Sequence, residues 1–123
     1  MKYMIMMFGD QATIVEVKSP EWIRNMHALM TKIDDELREA GELVEGHRLA
    51  DPSQARTIRL RDGIPVATDG PFAESKESLA GYWIVDVSEE RAIEIASRCV
   101  AGTGEPVEVR EVMDAPPEHL SDL

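Results

Sequence analysis

Residues 3–8, Tyr3-Met4-Ile5-Met6-Met7-Phe8, form an unbroken apolar segment. Successive side chains of a strand point to opposite faces of a sheet, so this segment is apolar on both faces. A strand of that kind is covered on both sides. Residues 82–87, Tyr82-Trp83-Ile84-Val85-Asp86-Val87, also carry apolar groups on both faces. These two segments predict the buried strands of one sheet, and the other elements are placed around them.

Two helices follow from capping signals and apolar spacing. Ser19-Pro20-Glu21 is typical of a helix start, with a side-chain cap, proline at the first helical position and an early acid. Apolar residues then recur at three- and four-residue spacing as far as Gly41, which is expected to end the helix. Ser88 is expected to cap a second helix that ends at Gly102. Its predicted apolar stripe is Ala92, Ile93, Ala96, Cys99 and Val100.

The remaining segments predict strands and a hairpin. Residues 42–49 and 106–113 are predicted to be strands of the main sheet. Residues 56–61 alternate in polarity, Asp62-Gly63 is a two-residue hairpin turn, and Pro65 in the return arm indicates a sheet edge. The order is βαββαβ with an extra hairpin, which predicts an α+β ferredoxin-like fold with both helices on one face of the sheet. The domain is expected to span residues 1–113, followed by a polar, proline-rich tail at 114–123.

This arrangement leaves one sheet face without a cover. Two helices can cover one face, whereas the two apolar strands need cover on both. A second copy that packs sheet to sheet would supply it, so a homodimer is predicted.

Length and charge exclude several classes of partner. The chain has 123 residues, the usual size of one domain, and a formal net charge of −11. Such a charge argues against nucleic acid and anionic membranes as partners, because both need a basic surface. The first apolar run is too short to span a bilayer and no cleavage site follows it, so a cytoplasmic protein is expected. The single cysteine, Cys99, falls on the apolar side of a helix and is expected to be buried.

The segment Thr68-Asp69-Gly70-Pro71-Phe72-Ala73-Glu74-Ser75-Lys76-Glu77 combines a sharp turn with ionisable groups. Proline fixes its own φ and pushes Gly70 out of the α region. Two carboxylates, a hydroxyl and an ammonium follow within a few residues. A turn of this kind can shape a site.

The chain resembles the YCII-related family, in the branch known for its Asp-Gly-Pro-Phe motif. The resemblance rests on residues 66–77, on Lys2-Tyr3-Met4 with Gly9-Asp10, and on residues 107–113. It implies a ferredoxin-like fold that pairs as a dimeric α+β barrel. The broader family has been suspected of enzymatic activity through a His–Asp pair, which no motif places in this sequence. Members of the branch are often linked genomically to extracytoplasmic-function sigma factors.

The candidate site residues cluster around that turn. Asp69 is expected to act as a general acid or base, or alternatively to cap its own turn. His47, whose side chain titrates near neutral pH, is the second catalytic candidate, with a structural role as its alternative. The expected ligand-binding residues are Phe72, Glu74, Lys76 and Tyr82.

Lys76 is the expected anchor for an anionic group, unless it is a solvated surface charge. Asp69 and Lys76 are predicted to face one pocket, with His47 or Tyr82 close by. No metal site is expected, because the three histidines are isolated, and no cofactor motif occurs.

Two functions remain open from the sequence. One is a cofactor-independent small-molecule enzyme or ligand-binding protein with a cleft near residues 69–72. The other is a non-catalytic regulatory module that contacts another protein, such as a sigma factor. A cleft with converging ionisable groups would favour the first, and an exposed apolar patch would favour the second.

Overall fold

The computed structural model describes residues 1–71 and 78–116. Within them the chain forms six strands, three α-helices and one short 3-10 turn at Pro52–Gln54. The elements in chain order are β1 (Lys2–Phe8), α1 (Gln11–Val17), α2 (Pro20–Glu39), β2 (Leu43–Arg48), β3 (Arg56–Arg61), β4 (Ile64–Asp69), β5 (Leu79–Asp86), α3 (Glu89–Thr103) and β6 (Val107–Val112).

The main sheet has four antiparallel strands in the order β2-β5-β1-β6. The two strands predicted from apolar character, β1 and β5, are its central pair. The edge strands β2 and β6 are the ones with mixed polarity. This order, with α2 and α3 as the crossover helices, is compatible with the predicted ferredoxin-like fold.

The predicted starts of both helices are confirmed, whereas the predicted end of the second helix, now α3, differs from the observed one. The Ser19 hydroxyl accepts a hydrogen bond from the Trp22 backbone N–H at 3.0 Å, as the capping pattern predicts. Ser88 does the same for Arg91 at 3.1 Å. The helix α2 ends before Gly41, which has a φ of +70°, whereas α3 runs past Gly102 to Thr103 and is capped by Gly104, with a φ of +74°.

The apolar stripe of α3 is shifted from the one predicted. Ile95 is fully buried, whereas Ile93 is 51% exposed. A helix turns about 100° per residue, so Ile93 lies to one side of the arc that holds the buried residues. The buried set is Ala92, Ile95, Ala96 and Cys99.

The helix α1 was not predicted from the sequence. Asp10 caps it, because its carboxylate accepts a hydrogen bond from the Thr13 backbone N–H at 2.9 Å. Lys18, which follows the helix, forms an ion pair with Glu105 at 3.2 Å and lies 4.8 Å from the centroid of a Trp22 ring. These contacts tie the start of α2 to the loop after α3.

The core lies between the helices and one face of the sheet. The largest fully buried side chains come from β1, α2, α3 and β5: Ile5, Ile33, Leu37, Ile95, Val85 and Cys99. Trp83 adds its ring to the same cluster, and its indole N–H donates to the Asp34 carboxylate at 3.2 Å. One buried layer therefore joins α2 and α3 to the sheet.

The opposite side of the sheet, here called the open face, carries a different set of residues. The strand register aligns two rows across β2, β5, β1 and β6 in that order. One row is His47, Tyr82, Met6 and Glu108. The other row is Glu45, Ile84, Met4 and Arg110. The centre of the open face is therefore apolar, and both of its edges are polar. The predicted pairing of this face with a second copy of the chain stays a prediction.

The hairpin predicted around the Asp62-Gly63 turn is a separate two-stranded sheet of β3 and β4. Asp62 and Gly63 have φ values of +52° and +78°, the geometry of the two-residue turn expected there. This unit, Arg56–Asp69, is called the ribbon below.

Candidate functional site

His47 lies on the open face because of how β2 pairs with β5. The register shifts between Leu43 and Glu45, so Leu43 packs toward the core while Glu45 and His47 point to the other side. His47 is directly opposite Tyr82, and Glu45 is opposite Ile84. The local irregularity thus places two polar side chains at the edge of an apolar surface.

These side chains are in mutual contact. The His47 Nε2 atom lies 3.4 Å from a Glu45 carboxylate oxygen. The His47 and Tyr82 rings meet edge to face, with centroids 5.7 Å apart and planes at 61°. His47 and Glu45 are about half exposed, so solvent reaches both. The imidazole of His47 is therefore in contact with both a carboxylate and a phenol ring.

Gly46 allows this geometry. It pairs with Trp83, whose ring covers the core side of the glycine. A Cβ atom at Gly46 would lie 2.6 Å from the Trp83 Cδ1 atom. The absence of a side chain at this position lets the Trp83 ring pack under β2 while the flanking Glu45 and His47 face the open side.

Asp69 lies at the end of the ribbon and points to solvent. Its carboxylate pairs with the Arg56 guanidinium at 2.7 Å, and its side chain is 84% exposed. The turn after Asp69 is held by Thr57 and not by the Asp69 carboxylate. The Thr57 hydroxyl donates a hydrogen bond to the Gly70 carbonyl at 2.8 Å. Gly70 has a φ of +96° and donates its N–H to the Ala55 carbonyl at 2.8 Å.

In the described residues, Asp69 therefore forms a cross-strand ion pair on the ribbon. A role for it as a proton carrier stays a prediction. Phe72, Glu74 and Lys76 lie outside the described residues, and so does the predicted pocket shared by Asp69 and Lys76.

Arg110 is a cation on the open face that sequence reasoning missed. It lies opposite Met4 on β6, at the edge of the sheet away from His47. Three strand spacings separate the two edges, which is about 14 Å. The alternation of Val107, Glu108, Val109 and Arg110 was the available signal, since it predicts which face each side chain takes.

In the part of the chain that the structure describes, the carboxylates with shifted pKa values pair with arginines of α3 instead. Two hydrogen bonds from Arg91, at 2.9 and 3.0 Å, hold the pKa of Glu42 below its usual range. Arg98 donates to Glu36 at 2.5 Å and lowers the pKa of that carboxyl in the same way. These pairs join α3 to α2 and to the start of β2, so they are structural contacts.

A shallow groove of about 610 Å³ runs along the outer side of α2. It is lined by His27, Ala28, Thr31, Lys32, Asp35, Glu36 and Glu39, all of them from one helix. The groove is wide open to solvent, and Glu36 is already paired with Arg98. It carries no functional assignment.

Neither a metal centre nor a membrane-spanning helix occurs in residues 1–71 and 78–116. No group of three His, Cys, Asp or Glu side chains in these ranges is arranged to hold a metal ion. None of the helices described there combines the length and apolar character needed to cross a bilayer.

Comparison with known proteins places the chain in a family. The profile of the YCII-related domain matches residues 1–116. An uncharacterized protein of Rhizobium meliloti (strain 1021) is 32% identical over 97 residues, which cover 78% of this chain and 77% of the relative. The region that the family profile matches includes every element of the main sheet, both crossover helices and the ribbon, and the chain belongs to the YCII-related family.

Proposed function

We propose that this YCII-related protein is a homodimer that binds a small anionic molecule between the open faces of two sheets. The observation that carries the proposal is the open face itself. Its centre is apolar, through Met4, Met6 and Ile84, and the contacting group of Glu45, His47 and Tyr82 lies at one edge. Small-molecule sites commonly have this composition, with apolar walls and a few convergent polar groups.

Cover by a second copy would convert this surface into a cleft. Water would leave the apolar centre, and electrostatic interactions with a bound ligand would strengthen as the local dielectric falls. Arg110 is placed to attract an anionic group, and His47 to exchange a proton with the ligand. Such a site supports cofactor-independent acid–base chemistry of the lyase or isomerase type.

The experiment is a titration of small carboxylates, benzoate among them, into ¹⁵N-labelled protein. The proposal predicts shifts at the open-face residues of β2, β5 and β6, because His47 and Arg110 lie on opposite edges of that face. It also predicts a dissociation constant at least about tenfold weaker in His47→Gln. His27→Gln is the matched control, since His27 is exposed on α2, in the helix layer on the other side of the sheet. Equal affinity in the wild type and His47→Gln, or shifts confined to the α2 groove, would contradict the assignment.

A regulatory protein-interaction module is the second candidate function. The observation that favours it is exposed apolar surface on the ribbon, where Ile58 and Leu60 are 62% and 72% exposed. In the Asp-Gly-Pro-Phe branch the partner would be a protein such as a sigma factor. Pull-down with a purified extracytoplasmic-function sigma factor, in parallel with the carboxylate titration, separates the two candidates.

A further inference from the structure

His47 and Arg110 of one chain lie too far apart to hold one small ligand together. They are on the two edge strands of the open face, β2 and β6, with β5 and β1 between them. Three strand spacings put about 14 Å between the two backbones, which is farther than a benzoate ion spans. A site that uses both the imidazole and the guanidinium is therefore incomplete within one chain.

A two-fold dimer of open faces can be built by either of two rotations. Rotation about an axis along the strands puts β2 of one protomer over β6 of its partner, and β5 over β1. Rotation about an axis across the strands puts each strand over its own copy, running in the opposite direction. The two dimers bring different side chains together, so the charges on the open face can distinguish them.

The charges at the sheet edges are compatible with both rotations. An axis along the strands puts the partner's Arg110 over Glu45, and the partner's Glu108 over His47, because each pair shares a row at opposite edges. An axis across the strands puts His47 over the partner's Glu45, and Arg110 over the partner's Glu108. In both dimers the apolar centre of one face lies over the apolar centre of the other.

A third row of the open face decides between the two rotations. Lys2 on β1 pairs with Asp86 on β5, whose carboxylate is 3.2 Å from the Met1 ammonium and still 58% exposed. An axis along the strands puts this row over itself, so Lys2 lies over the partner's Asp86. An axis across the strands puts the row over the other end of the sheet, where Phe8 pairs with Leu79 and both are apolar. Only the axis along the strands gives both charges an opposite partner.

We propose that the partner's Arg110 completes the ligand site beside Glu45 and His47, so that each of the two sites in the dimer is built from both chains. The inference rests on the proposed dimer and ligand site, and names the second chain as the source of the cation. Stacked sheets lie about 10 Å apart, a gap that facing side chains fill. A guanidinium has five N–H donors, so it can pair with Glu45 and bind a ligand carboxylate at the same time.

Cross-linking tests the arrangement without a ligand. Glu45→Cys and Arg110→Cys are prepared separately, mixed for subunit exchange and treated with a short bis-maleimide. Only the mixture should give cross-linked dimers, because each variant alone carries its new thiols at opposite edges of the dimer. The wild type, whose single Cys99 is buried, is the blank. Cross-links in Glu45→Cys alone would show β2 facing its own copy and would overturn the proposal, as would a mixture without cross-links.

Benzoate binding gives a second readout of the shared site. His47→Gln and Arg110→Gln should each bind benzoate at least about tenfold more weakly than the wild type. In their mixture, each mixed dimer should recover one wild-type site, with His47 from one chain and Arg110 from the other. A mixture of His47→Gln with His47→Gln/Arg110→Gln should recover none and is the matched control.

The outcomes separate the shared site from the proposed function. Benzoate binding by the wild type without recovery in the first mixture would overturn the shared site and leave the ligand proposal standing. A wild type that binds no benzoate or related carboxylate would contradict the proposed function, and the cross-links would then decide the arrangement of the two chains alone.

Discussion

Replacement of Gly46 by alanine tests the packing against Trp83 that orients the neighbouring Glu45 and His47 on the open face. The added Cβ would lie 2.6 Å from the Trp83 Cδ1 atom, whereas ordinary carbon contacts are about 3.5–4.0 Å. Trp83 is 5% exposed and its indole donates to Asp34 at 3.2 Å, so the ring cannot turn away without loss of that hydrogen bond. Either the ring or strand β2 must shift.

The magnitude follows from two opposing effects. Overpacking in a filled core costs about 1–3 kcal/mol. Alanine in place of glycine within a strand regains about 0.5–1 kcal/mol of conformational entropy. The cost of the clash exceeds the entropic gain, so Gly46→Ala should destabilise the protein by about 1–2 kcal/mol in urea unfolding. The His47 and Tyr82 ring signals should shift as well, because β2 carries His47.

A double-mutant cycle isolates the contact. In a Trp83→Leu background the clashing ring atom is gone, so Gly46→Ala should be neutral or slightly stabilising. The coupling between the two positions should then be about 2 kcal/mol. An unchanged cost in the leucine background would refute the close approach of Gly46 and Trp83, and so would a Gly46→Ala protein as stable as the wild type.

Three further predictions concern titration, reactivity and the turn. Arg91 lowers the pKa of Glu42 in the folded state, so the ionised Glu42 stabilises the fold. This stabilisation is fully present above pH 4.5, the ordinary carboxyl pKa, and is lost as pH falls through the lower pKa of the folded state. Glu42→Gln should therefore cost about 1–2 kcal/mol in urea unfolding at neutral pH, with the difference from wild type shrinking below about pH 4. Burial raises the pKa of the Cys99 thiol to about 11, so a thiol reagent should modify it only after denaturant unfolds the protein, and fast labelling of native protein would contradict its burial. Asp69→Asn should change stability by less than about 1 kcal/mol, because its ion pair is exposed and Thr57 holds the turn, whereas Gly70→Ala should lose more through its φ of +96°.

Much of the fold could be predicted because local signals agreed with packing. Ser19 and Ser88 start the helices that they were expected to cap, and Asp62-Gly63 forms the expected turn. The apolar strands β1 and β5 lie at the centre of the sheet. In each case the residue type that favours the local geometry also serves the tertiary structure.

The misses have physical causes. Thr13, Ile14, Val15 and Val17 are β-branched, so the sequence of α1 carries little helical preference, and the signal that survives is the Asp10 cap. In α3, Ile93 was placed in the stripe because it is apolar, although Ile95 lies closer to the centre of the buried arc. Apolar character alone does not fix which side of a helix faces the core.

The candidate site was harder to predict than the fold. His47 and Tyr82 do meet, but their contact depends on the register of β2 against β5, and on a shift near Val44 that the sequence does not signal. Asp69 has an exposed pairing with Arg56 across the ribbon, a contact set by hairpin register. Glu45 and Arg110 were not predicted as site residues, because only the strand register shows that both lie on the open face.

We expect a second copy of the chain to cover the open face. Light scattering from about 1 to 100 micromolar protein tests it, with wild type, Ile84→Asp and the exposed-helix control Ile93→Asp, each checked for folding by circular dichroism. Cover by a second copy should give the mass of two chains for wild type and Ile93→Asp, and the mass of one folded chain for Ile84→Asp. A wild-type protein with the mass of one chain throughout this range would contradict it, as would an Ile84→Asp variant that stays dimeric.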